Sequence, residues 1–228
     1  MKKIAGLFIV FGFLLAVPVL KLHAQKPFEG TITWNMTIPM LDDDKHEMIV
    51  NVKGDKTESE MDMGVQGLVK GFSDRSTKKI YLVMTAMKMG VTMDMKESTD
   101  TGSVDLKQSG QKETIAGHSA DEYVCKGQKG DISIWVTSDM PKDMMESFKN
   151  YSSNNPQMDQ NEKKAIKILL SKGLMPVRMV LKDAGETQMA MELVKFERKS
   201  LDDSLFVQPS DIKYNPMPAG MGAGGGNN

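Results

Sequence analysis

Three Met-x-Met pairs, Met61/Met63, Met93/Met95 and Met189/Met191, each put two thioether sulfurs at the spacing that shares one face of an extended chain. Soft sulfur ligands select Cu(I), so copper binding is one chemistry these residues could do. Supporting ligands are sparse. His46 and His118 stand outside any metal-ligand spacing such as His-Glu-x-x-His, and no His-rich tract accompanies the methionines. The same spacing follows whenever methionine is the hydrophobe of a half-buried strand. Three readings therefore stay open: a solid core, an adaptable apolar cavity, or a copper site.

Nucleophilic catalysis needs a nucleophile beside a base. Cys125 and His118 lie near one expected strand, but Cys125 shares parity with Tyr123 among apolar neighbours, which fits a buried, inert thiol. The run Asp42, Asp43, Asp44 lacks the alternating spacing of a calcium loop and reads as a solvated turn. No cofactor fingerprint is present. The expectation is a non-catalytic protein without a cofactor.

The elements that position these residues are mostly strands. Segment 28–38 alternates without error, with Phe28, Gly30, Ile32, Trp34, Met36 and Ile38 on one face. Period-two patterns recur at Met48/Val50/Val52, Met61/Met63, Ile80/Leu82/Met84, Val91/Met93/Met95, Ile132/Ile134/Val136, Val177/Met179/Leu181 and Met189/Met191/Leu193. Their turn-sized separations predict an antiparallel meander. After Leu193 the apolar phase passes to Val194 and Phe196, which predicts a bulge or a strand that curls between surroundings. Between 141 and 172 the period becomes helical, with Met144, Met145, Phe148 and Tyr151 on one stripe and Ile166, Leu169 and Leu170 on another. Pro141 suits a first helical turn; Asp159 with Glu162 makes a capping box, and Gly173 ends the second helix. The fold class expected is mainly β (α+β): a curved antiparallel sheet with a helical pair inserted before its last two strands.

The ends bound the compartment. Lys2, Lys3, the apolar run 4–20 and Ala24 have the order of a secretory signal cleaved after residue 24. No cysteine stands directly after the run, where a lipoprotein signal needs one, so the expectation is a periplasmic or secreted protein without a lipid anchor. Residues 25–217 would form the folded domain, and 218–228, rich in glycine, a disordered tail. Losing Lys2, Lys3 and Lys21 from 29 basic residues leaves 26 against 30 acidic ones, a charge of about −4 that makes nucleic acid a poor partner. One cysteine excludes an internal disulfide, so the core must supply the stability. Lys163, Lys164 and Lys167 read as the wet face of the second helix, suited also to transient contact with a membrane surface or anionic partner.

Five stretches in a fixed order carry a resemblance: FEGTITWNM, IAGHSADEYV with Gly117 and Tyr123, ISIWVTSDM with Trp135, KGLMPVRM with Gly173 and Pro176, and LDDSLFVQP with Phe206 and Pro209. Over about residues 28 to 217 the chain resembles the domain of unknown function 4412, common in exported proteins of Gram-negative bacteria. That family is similar to the lipoprotein carriers of the LolA-like superfamily. The resemblance implies a half-open β-barrel whose concave side is covered by helices, with residues 141–172 as the lid over an apolar cavity. An apolar, lipid or acyl-like ligand would then touch Trp34, Met36, Met61, Met63, Met93, Met95, Trp135, Met179, Met189 and Met191. A Met-dependent copper protein and an envelope scaffold for a protein partner are the alternatives.

Overall fold

The computed structural model describes residues 27–39, 45–64, 67–95, 103–128, 130–154 and 158–217. The signal-like segment, the run Asp42 to Asp44 and the glycine-rich end lie outside the described residues. The strict alternation of 28–38 becomes β1 (Glu29–Thr37), which hairpins through β2 (Lys45–Lys53), β3 (Lys56–Asp62), β4 (Leu68–Asp74), β5 (Lys79–Met84) and β6 (Met89–Asp94). Beyond these come β7 (Lys107–Ile115), β8 (His118–Lys126) and β9 (Asp131–Thr137). Two helices follow, α1 (Lys142–Asn154) and α2 (Gln160–Ser171), then β10 (Met175–Asp183), β11 (Glu186–Arg198) and β12 (Lys213–Pro216). All twelve join one curved open sheet in the order β12-β6-β5-β4-β3-β2-β1-β11-β10-β9-β8-β7. Every pairing is antiparallel except that of β12 with β6. The helical pair therefore precedes three strands rather than the expected two, because β12 exists only through its edge pairing.

Both helices obey their local signals. Asp159 caps α2 by accepting from Glu162 N at 2.8 Å while Glu162 reaches back to Asp159 N, and its second oxygen accepts from Gln128 N at 2.9 Å, which ties the cap to the β8–β9 turn. Gly173 sits at φ +73°, the left-handed position that lets the chain leave α2. The bulge expected after Leu193 is present: Thr33 pairs with Lys195 and Trp34 with Leu193, leaving Val194 as the extra residue.

One face of the sheet carries the helices. On it Phe28, Ile32, Trp34 and Met36 of β1 and its approach, Met48, Val50 and Val52 of β2, and Ile132, Ile134, Val177, Met179, Met191 and Leu193 from the other side are buried. They pack with Met144 and Phe148 of α1 and Ile166 and Leu169 of α2. Trp34 meets Phe148 with ring centroids 5.9 Å apart. Arg198 fixes the start of α1 with two hydrogen bonds to Asp143, at 2.6 and 2.7 Å, and lies over the Phe28 ring. This ion pair holds the Asp143 carboxyl below the usual carboxylate range.

The opposite face of β1–β3 is sealed by polar contacts. Thr31 donates to Asn51 at 2.7 Å, and Asn51 to Glu58 at 2.8 Å. Glu58 is 2% exposed, and burial pushes its carboxyl up. The segment after β11 returns over this side, where Leu201 N donates to Glu29 and Lys53 donates to Leu201 O. Further along, Tyr214 packs edge-on against Tyr81 and fills the space beside Gly90.

Gly30 allows β11 to approach β1, since a Cβ there would lie 2.1 Å from the Glu197 carbonyl oxygen. Gly30→Ala should therefore cost about 1 to 3 kcal/mol, the usual range for overpacking. Denaturant unfolding measures it, and an unchanged midpoint would show that β11 yields freely.

Candidate functional site

Antiparallel register places the side chains of the helix-bearing face in cross-strand rows. Trp34 stands opposite Met48, then Met61, Val69, Met84 and Met89. The next row runs Ile32, Val50, Ser59, Gly71, Leu82 and Val91, and the third Gly30, Val52, Thr57, Ser73, Ile80 and Met93. Burial changes abruptly along these rows. The members on β1 and β2 are covered, whereas Met61, Val69, Leu82, Met84, Val91 and Met93 are only half-buried.

The helices stop short of this second half. Between Ser147 and Tyr151 of α1 and the strands β3–β5 lies a cavity of about 150 Å³. Met48, Val52, Met61, Val69, Ile80 and Leu82 give it apolar walls, with Thr57, Ser59, Gly71 and Ser73 along its floor. Small residues on adjacent strands create the depression. Ser59 faces Gly71 and Thr57 faces Ser73, so four positions that elsewhere carry Val, Met or Ile leave space. At the turn end Gly54, Asp55 and Arg75 line the opening, which continues into a second hollow of about 340 Å³ bounded by Pro27, Lys142, Asp143, Glu146 and Ser147.

The ten residues expected to line a cavity divide into groups. Trp34, Met36, Met179 and Met191 are 7% exposed or less and sit in the packed core beneath the helices, Met36, Met191 and Met179 forming one cross-strand row. Met189 is partly buried against that core, beside Leu181. Met61 lines the cavity. Met93 lies opposite Ile80, farther out on the same half-covered face, with Met95 two residues on and Met63 at the β3–β4 tip. Trp135 stands on the other face from Ile134, under the Arg178 guanidinium, which lies 5.6 Å from its ring and bonds Glu113 and Glu192.

Sequence reading missed Ser59, Gly71, Ser73 and Tyr151. The usable signal is weak: small or hydroxyl residues occupy the apolar phase of KTESEMD and LVKGFSD, which also hid β4 as a strand. Strand β7 escaped for a related reason, being exposed along nearly all its length and without alternation.

Cys125 and His118 do not meet. They stand at opposite ends of β8, seven residues or about 24 Å apart at about 3.4 Å per residue. His118 instead contacts Asp139 at 3.2 Å and stacks on Phe196. Burial, with Asp159 and Glu162 nearby, pushes the Cys125 thiol up to about 11. Of the three helix lysines only Lys167 is exposed; Lys163 is half-buried, and desolvation holds its ammonium below the ordinary lysine value. A thiol so placed should ignore Ellman's reagent at pH 8 in the native protein and react stoichiometrically in denaturant. Fast native labelling would mean that the α2 cap opens readily.

No described helix is long and apolar enough to cross a membrane. Several solved structures are similar to this chain at low identity. A structure of PNGF-II is similar with a TM-score of 0.42 at 14% identity, covering 84% of this chain and 31% of that one. MucB in complex with MucA(peri) is similar with a TM-score of 0.41 at 8% identity, over 82% of this chain and 55% of that one. The LolA superfamily protein NE2245 from Nitrosomonas europaea has a TM-score of 0.34 at 11% identity, over 81% and 91%. This chain thus spans under a third of PNGF-II. No curated protein sequence matches it. The family model of the domain of unknown function DUF4412 matches residues 28–212, the span that holds β1 to β11 and both helices, and the chain belongs to that family.

Proposed function

We propose that this protein is a non-catalytic binding protein, exported to the periplasm or beyond, that holds an acyl chain or comparable apolar group in the groove between α1 and β3–β5. The observation that carries the reading is the half-covered apolar face: Met61, Val69, Leu82, Met84, Val91 and Met93 continue the rows of the core yet remain partly open. Apolar surface left in contact with water is the feature that marks ligand grooves and interaction sites. The cavity of about 150 Å³ suits one alkyl segment or ring, since engineered apolar cavities of about this volume take up benzene. Methionine walls suit ligands of irregular shape, because an unbranched thioether repacks at little cost. The walls of Met48, Val52, Met61, Val69, Ile80 and Leu82 support the holding of an apolar group by dispersion contact.

Filling the groove tests the reading. Gly71 faces the cavity, and a Cβ there would meet only the Ser59 hydroxyl at 2.6 Å and a Leu82 methyl at 3.5 Å, atoms at the ends of side chains that can turn aside. Gly71→Val should keep the fold, since a β-branched residue suits a strand, and should weaken an uncharged fluorescent alkyl-aromatic probe by about tenfold or more. Unchanged probe binding with an unchanged melting temperature would sink the groove as the site.

Export rests on residues 1–24, and the intact mass of the protein from its native envelope checks it. The expected species begins at Gln25. A full-length mass in the membrane fraction would replace cleavage with anchoring.

A further inference from the structure

Three hydroxyl side chains interrupt the apolar lining of the groove. Thr57 stands directly opposite Ser73, flanked in its cross-strand row by Val52 and Ile80, and Ser59 stands opposite Gly71, flanked by Val50 and Leu82. All three are half-buried and line the cavity. None of their hydroxyl groups has a hydrogen-bond partner among the described residues. The Ser59 oxygen lies over Gly71, 2.6 Å from where a Cβ would stand.

Volume alone does not account for the two serines, since alanine would open as much room without a polar group. A hydroxyl set between aliphatic neighbours loses its water when a ligand covers it, and nothing in the protein replaces that hydrogen bond. A pure hydrocarbon would incur the loss at each of the three positions. An oxygen on the ligand restores what was lost. Opposed residues on paired strands have Cβ atoms about 5 Å apart, and residues two apart on one strand are about 7 Å apart. The hydroxyls of Thr57, Ser59 and Ser73 therefore form one small patch, which suits oxygens grouped at one place rather than spread along a chain.

Charge adds no preference. Asp55, Glu60, Asp143 and Glu146 outnumber Arg75 and Lys142 in the lining of the two hollows, so a carboxylate or phosphate finds no net attraction there. Each of those carboxylates already faces a cation: Glu60 meets Lys70 at 2.8 Å, Asp143 meets Arg198 at 2.6 Å, and Asp55 and Glu146 stand 3.7 Å from Arg75 and Lys149 respectively. A cationic head is not called for either.

We infer that the groove takes an uncharged single-chain lipid with grouped oxygens, a monoacyl ester or a long-chain alcohol, its oxygens over Thr57, Ser59 and Ser73 and its tail against Met48, Met61 and Val69. This rests on the proposed apolar groove and adds the polar class of its ligand and the direction in which that ligand lies. The order of the lining sets the direction, because the Thr57 and Ser73 row is nearest the turn end at Gly54 and the Met48 and Met61 row is farthest from it.

The test follows displacement of diphenylhexatriene, a fluorescent hydrocarbon without oxygen, from the full protein. The competitors, all of equal chain length, are monododecanoylglycerol, dodecanol, dodecanoate and dodecyltrimethylammonium. The two uncharged ones should compete at least about tenfold better than either ion, which must desolvate its charge to enter. Thr57→Val, which keeps the branched shape, and Ser73→Ala should each weaken the ester and the alcohol about fivefold, the value of one hydrogen bond, while tightening diphenylhexatriene. Whichever of the two loses more is the better match, and a loss in either supports the assignment. Shifts of the same sign and size for the hydrocarbon and the oxygen-bearing ligands, or an ion that outcompetes the uncharged pair, would overturn the assignment while sparing the groove. Failure of diphenylhexatriene to bind the wild type would overturn both.

Discussion

The seating of α1 on β1 is the contact on which the rest depends. Trp34 lies against Phe148, Phe28 is fully buried under Arg198, and Arg198 grips Asp143 in the first turn of the helix. An aromatic pair of this kind contributes beyond the area it buries, and the forked ion pair fixes direction as well as distance. Together they determine where α1 ends. Where α1 ends decides which methionines become core and which become groove.

Geometry makes partial coverage unavoidable. Twelve strands at about 4.8 Å spacing make a sheet roughly 50 Å wide, whereas helices of 13 and 12 residues are each about 18 to 20 Å long and about 10 Å thick. Two such helices can shield about half of one face. They lie over the half built from β1, β2 and β8–β11, where Ile134, Val177 and Leu193 are buried, and leave β3–β6 half-open. The opposite face does not share the shortage, because the stretch after β11 folds back over it with Leu201, Phe206 and Tyr214. Glu58 shows how complete that seal is: its carboxyl stays buried with Asn51 and Lys70 as partners, and its raised pKa records the lost water.

Methionine has two roles that composition alone does not separate. Met36, Met179 and Met191 interlock in one row under the helices as ordinary core. Met61, Met84 and Met93 occupy the same phase of the same sheet and face a hollow or solvent instead. The difference is not chemical. It comes from Ser59, Gly71, Thr57 and Ser73, whose small volumes open space between larger neighbours, and from the reach of α1.

By itself the sequence determined what depends on neighbours along the chain. Alternation set β1 and most strands, Asp159 with Glu162 set the start of α2, and the phase change after Leu193 set the bulge at Val194. These are local effects of side-chain period and capping, legible because each is completed within a few residues. It also separated an apolar face from a polar one, though it put Trp135 with the wrong neighbours by counting its bulk rather than its parity against Ile134. Only the tertiary structure decided that β4, β7 and β12 are strands, since their pairing partners, not their own patterns, hold them. It alone decided where the face is covered. Burial depends on what another element places above a residue, and nothing within the period of a strand encodes the distance to a helix eighty residues away.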